Sequence, residues 1–366
     1  MKYKSLYIAA TSQHVGKTTT TLGLLAALQN RGLDVGYSKP LGQQFLTVKG
    51  KRVDKDAVLF SNMNKGFELV PDIHSPVILG PGDTQELLET PRPKALTKKI
   101  LHAANVLRDD HQFVLYEGTG HPGVGSVVEL SNARVAELLE TEVVLVIEGG
   151  IGNTIDRLTL SKALFDAHNV RVAGVILNKV LRSKVDKIRR YVEPWVNKHG
   201  MELFGLIPYD EELVYPALRH VIKSVQGELV LGQDSDLDNL VHGCMAGVDA
   251  TLTDTVPSAN RLLVVSRGRF YEALLQYRTL CEEKETDFNL AGVIVTSLGR
   301  LNSQALRLCE EHDIPVVTSS MDTYQTVIHL DHLVAKIDAK SPTKIKRAIS
   351  LVEENVDLGK ILELFD

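Results

Sequence analysis

Near its start the chain passes from an apolar run, Leu6-Tyr7-Ile8-Ala9-Ala10, through the turn Thr11-Ser12-Gln13-His14-Val15-Gly16-Lys17-Thr18 and into a helical pattern. This junction constrains the fold more than any other feature. The apolar run is short and bounded by polar residues, as a buried strand is. From Thr19 to Asn30, Leu22, Leu25, Ala26 and Leu28 share one side, and Gly32 stops the helix soon after. A strand, a tight turn and a helix opening Gly-Lys-Thr form an anion-binding arrangement. Backbone N–H groups of the turn point inward, and the helix N-terminus adds its dipole.

The same alternation continues. Val35 to Ser38, Phe113 to Tyr116, Val143 to Ile147 and Val172 to Leu177 read as buried strands. Ile155 to His168 and Ser183 to His199 read as helices. Alternation of this kind predicts an α/β fold, a mostly parallel sheet covered on both faces. It closes near Phe204-Gly205-Leu206-Ile207-Pro208, which sets a first domain at 1–212. A smaller α/β domain follows at 213–340. Its strand candidates are Leu229 to Leu231, Leu262 to Val265, Ala291 to Val295 and Ile314 to Val317; its helices are Phe270 to Lys284 and Ser303 to His312. Residues 341–366 form a terminal helical segment. Gln43 to Pro93 has weak periodicity and reads as an excursion over the sheet.

Composition narrows the setting. The 366 residues carry a net charge of -5, which gives no reason to expect nucleic acid or an acidic membrane as partner. No run of about 18 apolar residues occurs, so no spanning helix is predicted. Cys244, Cys281 and Cys309 lie far apart, which fits a reducing cytoplasm.

The turn supplies most of the candidate site. Thr11, Ser12, Gln13, His14, Val15, Gly16, Lys17, Thr18 and Thr19 are the candidate nucleotide-binding residues. Gly16 lets backbone approach phosphate, Lys17 bridges the outer phosphates, and the Thr18 hydroxyl ligates magnesium. Glu117 ends a strand facing this loop and is a candidate for holding the metal or a water. Lys39 also follows a strand end and can neutralise a phosphate or an acidic substrate. Asp54 and Asp56 are both candidates for completing the metal shell. Asn178 can read a purine edge or be a plain turn residue. The stretch Gly118 to Ser126 reads as a mobile loop near the phosphate. Cys244 beside His242 is more a structural thiol than a nucleophile.

Taken in order, these motifs resemble the dethiobiotin synthetase-like P-loop ATPases. They are Thr11 ahead of Gly16-Lys17-Thr18, then Lys39-Pro40, Asp56-Ala57, Glu117-Gly118, Asn178 and Gly205-Leu206-Ile207-Pro208. The resemblance covers residues 1 to 212. It implies a P-loop NTPase three-layer sandwich, ATP and Mg2+ as cofactors, Asp56 rather than Asp54 as the metal carboxylate, Asn178 beside the adenine, and a homodimer. Ala10 stands where the family's loop has a leading glycine, and the residues after Glu117 differ from the family's usual Gly-Ala-Gly-Gly. The second domain resembles the DRTGG domain, including the regulatory half of long phosphotransacetylases. The stretches that carry this likeness are Gly243 to Ala246, Ala291 to Thr296 and Asp322 to Tyr324, with Ser266 to Phe270 at the eponymous motif. A chain that ends at Asp366 is not expected to have phosphotransacetylase activity. Two functions follow as expectations. One is a regulatory ATP-binding protein whose second domain takes a small ligand or a protein partner. The other is a ligase in which Lys17 and Lys39 stabilise a γ-phosphoryl group moving to a carboxylate or carbamate.

Overall fold

The computed structural model describes residues 4–63, 67–246, 260–333, 337 and 341–365. The chain divides into two units, Met1–Asp210 with Ile337–Asp366, and Glu211–Lys336.

The first unit is built on six parallel strands: β1 (Lys4–Ala10), β2 (Val35–Ser38), β3 (Phe113–Glu117), β4 (Glu142–Glu148), β5 (Val172–Val180) and β6 (Glu202–Pro208). Their order across the sheet is β6-β5-β4-β1-β3-β2, so the strand feeding the turn lies inside the sheet. Leu6, Ile8, Val114, Leu115, Val144 and Leu145 are fully buried. A strand covered on both faces needs no polar alternation, which is why these runs are continuously apolar. Helices α1 (Lys17–Asn30), α2 (Pro93–Asp110), α3 (Gly152–Ala167) and α4 (Val185–Lys198) belong to this unit. The 18-residue helix α2 escaped the sequence reading. The excursion between β2 and α2 is more ordered than its weak periodicity suggests. It contains an antiparallel hairpin, Phe45–Val48 with Lys51–Asp54, and then a helix, Lys55–Met63.

The second unit has a five-stranded sheet. Its strands are β7 (Glu228–Leu231), β8 (Gly243–Ala246), β9 (Arg261–Ser266), β10 (Leu290–Thr296) and β11 (Val316–Ser319), in the order β7-β11-β10-β9-β8. Among the described residues of this sheet, only β7 runs antiparallel to its neighbour. Two apolar clusters form in this unit. One contains Phe270, Tyr277 and Leu308, and the other Leu218, Val264 and Val317. Helices α5 (Phe270–Glu283), α6 (Ser303–Glu311) and α7 (Thr323–Asp331) complete the α/β pattern. Asn302 and Asp322 cap the N-termini of α6 and α7 through their side chains.

The terminal segment does not stand apart. Helices α8 (Pro342–Asn355) and α9 (Leu358–Glu363) belong to the first unit. Helix α8 lies on α1 so closely that a Cβ added to Gly23 would sit 2.4 Å from a Val352 methyl carbon. Val356 bridges Gly205 on the edge strand β6, and the Asp357 N–H donates to the Phe204 carbonyl at 2.7 Å. The expectation of a one-sided α1 is therefore corrected. Leu22, Gly23, Leu24, Leu25, Ala27 and Leu28 are all buried because α8 covers a second face of the helix. Among the described residues, no helix is long and apolar enough to cross a membrane.

Candidate functional site

The turn between β1 and α1 is shaped by one backbone conformation. Gly16 has φ 93, a left-handed value that costs glycine little and a side chain more. A Cβ there would lie 1.9 Å from the Asn178 side-chain nitrogen. Asn178, near the end of β5, donates from that nitrogen to the Val15 carbonyl at 2.8 Å. Its side-chain oxygen accepts from the Lys179 N–H at 2.9 Å. Asn178 thus braces the turn from beneath, a use of the residue that the sequence reading did not include. Lys179 adds a second brace, its Nζ donating to the His14 carbonyl at 2.7 Å. From α3, Arg157 Nη1 donates to Ser12 Oγ at 3.1 Å. Gln13 and His14 at the crest are exposed, Thr11 and Val15 are buried, and Ser12, Lys17, Thr18 and Thr19 are half-buried.

Glu117 ends β3 with no exposure at all. Pairing of β1 with β3 places Ile8 beside it, so its carboxylate reaches the start of α1. Thr18 Oγ1 donates to Glu117 Oε1 at 2.7 Å, and Tyr37 OH donates to Oε2 at 3.1 Å. Lys17 Nζ is 3.9 Å from Oε1. Burial pushes the Glu117 carboxyl up to about 7, with the Asp56 charge adding to it and Lys39, Lys17 and the Thr18 hydrogen bond opposing. Burial also pulls the Lys17 ammonium below its ordinary value, against the attraction of Glu117.

Lys39, just past β2, is buried and paired with both candidate aspartates. Its Nζ is 3.2 Å from Asp54 Oδ1 and also bonds Asp56 Oδ2. Burial opposes the Lys39 charge, but Asp56 and Asp54 more than offset it and hold the ammonium above its usual range. Asp54 is 1% exposed, and its Oδ1 accepts from the Asp56 N–H at 2.9 Å. Burial raises the Asp54 carboxyl against the pull of Lys39. Its Oδ2 is buried without a hydrogen-bond partner. Asp56, the residue favoured by resemblance, keeps 24% of its side chain exposed. Both carboxylates come from the end of the hairpin and the start of the helix after it. That local structure was invisible to periodicity.

The stretch from Gly118 is pinned at its base rather than free. Asn132 Oδ1 accepts from the Thr119 N–H at 2.9 Å, and its nitrogen donates to the Thr119 and His121 carbonyls at 2.8 and 2.6 Å. The Cys244 thiol lies in β8, and burial pushes it up, away from nucleophilic character.

The donor chemistry suits a nucleotide phosphate with a hard divalent cation. Three carboxylates, Asp54, Asp56 and Glu117, stand against two ammoniums, Lys17 and Lys39, close enough for their charges to act on one another. The three carboxylates and the Thr18 hydroxyl offer oxygen donors, the ligand type magnesium prefers, and Asp54 Oδ2 is without a hydrogen-bond partner. Among the described residues, no group of three or more His, Cys, Asp or Glu side chains could hold a metal alone. A cation here would draw its remaining ligands from phosphate and water. Thr11 Oγ1 is likewise buried without a partner beside the cradle.

Comparisons with known proteins identify relatives over the whole chain. The chain is 25% identical over 370 residues to a phosphate acetyltransferase of Synechocystis sp., covering 98% of this chain and 51% of the relative. It is 26% identical over 366 residues to the phosphate acetyltransferase of Pseudomonas putida, covering 97% and 51%. The chain therefore spans about half the length of these curated relatives. A cobyric acid synthase of Thermodesulfovibrio yellowstonii is 27% identical over 233 residues, covering 57% of this chain and 46% of that one. Among solved structures, the MinC:MinD cell division protein complex of Aquifex aeolicus has a TM-score of 0.38 and 17% identity, covering 57% of this chain and 83% of that one. Residues 220–333 match the DRTGG domain. Residues 4–217, more than half of the chain, match the AAA_26 family of AAA domains, and the protein belongs to that family.

Proposed function

We propose that the first unit binds Mg–ATP in the turn Thr11 to Thr18 and that the protein acts as a regulatory nucleotide sensor, with the DRTGG domain taking a small ligand or a protein partner. The observation that carries the reading is Glu117. A fully buried carboxylate is costly, yet it is held against Thr18 and Lys17 at the start of α1. Magnesium there would relieve the buried charge and pair it with phosphate oxygens. In this reading Lys17 meets the outer phosphates, Thr18 and Glu117 face the cation, and one of Asp54 and Asp56 completes its shell. Nucleotide binding would change the partners of Lys39, and that change is how the site could reach the hairpin carrying Asp54.

A second reading is favoured by the similarity to cobyric acid synthase. In it the same site activates a small carboxylate or carbamate by phosphoryl transfer, as in dethiobiotin synthetase-like ligases. Titration calorimetry with ATP and magnesium tests the shared part. Lys17→Ala is expected to abolish binding, and unchanged affinity would remove the site assignment. Phosphate release measured with a panel of carboxylates and amines separates the two readings. Stimulation by one of them selects the ligase, and no stimulation selects the sensor. A homodimer across the nucleotide face, and a cytoplasmic setting, belong to the same proposal; light scattering with and without ATP tests the first.

A further inference from the structure

Two cations approach the turn from the side of β4 and β5, and they differ in what they already hold. Lys179 Nζ is committed: it donates to the His14 carbonyl and lies 3.7 Å from Glu148 Oε1. Arg157 is not. Its Nη1 donates to the Ser12 hydroxyl at 3.1 Å, and among the described residues its guanidinium has no carboxylate partner. A guanidinium has five N–H donors in a fixed fork. A neutral hydroxyl uses one of them and cancels none of the charge. Arg157 is only half-buried, on the second turn of the helix, within reach of Ser12 at the rim of the cradle. The ammoniums Lys17 and Lys39 stand among three carboxylates. Arg157 is therefore the cation touching the turn whose charge is least compensated.

We propose that Arg157 is a phosphate ligand of this site, donating from α3 to the phosphate oxygens of the bound nucleotide. This rests on the reading of the turn as the nucleotide site. The Ser12 hydroxyl holds the guanidinium at the rim, so its free donors need little reordering when phosphate arrives. Arginine suits this place because its fork matches two phosphate oxygens and it stays protonated at any working pH. The sequence reading missed it because Arg157 lies 145 positions from Ser12, on a helix whose motif content is unremarkable.

The test is calorimetric titration of the whole chain with Mg–ATP at two salt concentrations, for wild type, Arg157→Gln, Arg157→Lys and Lys17→Ala. Gln keeps a neutral donor for Ser12 and loses the charge; Lys keeps the charge and loses the fork. Charge-assisted contacts of this kind are worth about tenfold or more in affinity. Arg157→Gln is expected to weaken binding by about tenfold and to flatten the salt dependence. Arg157→Lys is expected to recover part of the affinity and of the salt dependence. Arg157→Gln binding like wild type at both salt concentrations would overturn the proposal. So would Gln and Lys variants that weaken binding equally with an unchanged salt dependence, since that pattern marks a brace for Ser12. Lys17→Ala separates the two levels of the argument. If it binds as wild type does, the nucleotide site itself is misplaced and the role of Arg157 falls with it. If it loses binding while Arg157→Gln does not, only the role of Arg157 fails.

Discussion

Glu117→Gln turns the buried carboxylate into a measurable quantity. The ordinary value of a glutamate is 4.5, and in the folded protein Glu117 is raised to about 7. Between those values the native state binds more protons than the unfolded chain, so its contribution to stability falls as pH rises through the window and is fully unfavourable above it. A shift of that size corresponds to about 3 kcal/mol. His74 works in the opposite sense. Burial lowers it from 6.5 to about 4, so its contribution is present above pH 6.5 and is lost as pH falls towards 4. The two windows overlap and largely cancel in the wild type. Replacing Glu117 by its neutral isostere removes one of them. In metal-free buffer, the variant is expected to match the wild type near pH 4.5 and to become more stable by about 3 kcal/mol at about pH 8. Urea titrations followed by the fluorescence of the single tryptophan, Trp195 on α4, report on the first unit. His74 and the raised Asp54 are common to both proteins, so the variant-minus-wild-type difference isolates Glu117. A variant-minus-wild-type difference that does not change with pH would refute the reasoning, because it would mean that Glu117 binds protons in the folded state just as it does in the unfolded chain.

Other perturbations address the packing around the site. Gly23→Ala adds a methyl 2.4 Å from Val352, and overpacking of about 1–3 kcal/mol should outweigh the helix-propensity gain of about 1 kcal/mol, so the urea midpoint is expected to fall. A midpoint that rises would show that α8 is not seated on α1. Gly16→Ala is expected to destabilise the turn by at least ~1 kcal/mol and to abolish nucleotide binding in calorimetry, since the new Cβ meets Asn178 and the left-handed φ is strained. Asp54→Asn and Asp56→Asn together identify the metal carboxylate. The one whose loss weakens binding of Mg–ATP but leaves metal-free ATP binding unchanged in calorimetry is the ligand, and the expected one is Asp54, whose Oδ2 has no hydrogen-bond partner.

Much of this protein was legible in its sequence. The continuously apolar runs at Leu6 to Ala10 and Val143 to Ile147 read as strands covered on both faces, and their alternation with helical patterns predicts a mostly parallel sheet. Gly16-Lys17-Thr18 and Glu117 were found because they sit at strand ends, where such a sheet puts its loops. Local pattern determined these features, since period and turn chemistry act over a few residues. Contacts between distant segments were decided only by the tertiary structure. The partners of Lys39, the bracing of the turn by Asn178 and Lys179, and the approach of Arg157 to Ser12 join residues between 15 and 165 positions apart. The return of α8 to α1 is of the same kind. The sequence shows that Pro342 to Asn355 can be a helix, but the face it covers is set by where β6 ends and by the absence of a side chain at Gly23. Propensity resides in each segment separately, whereas burial and charge pairing exist only once the segments have met.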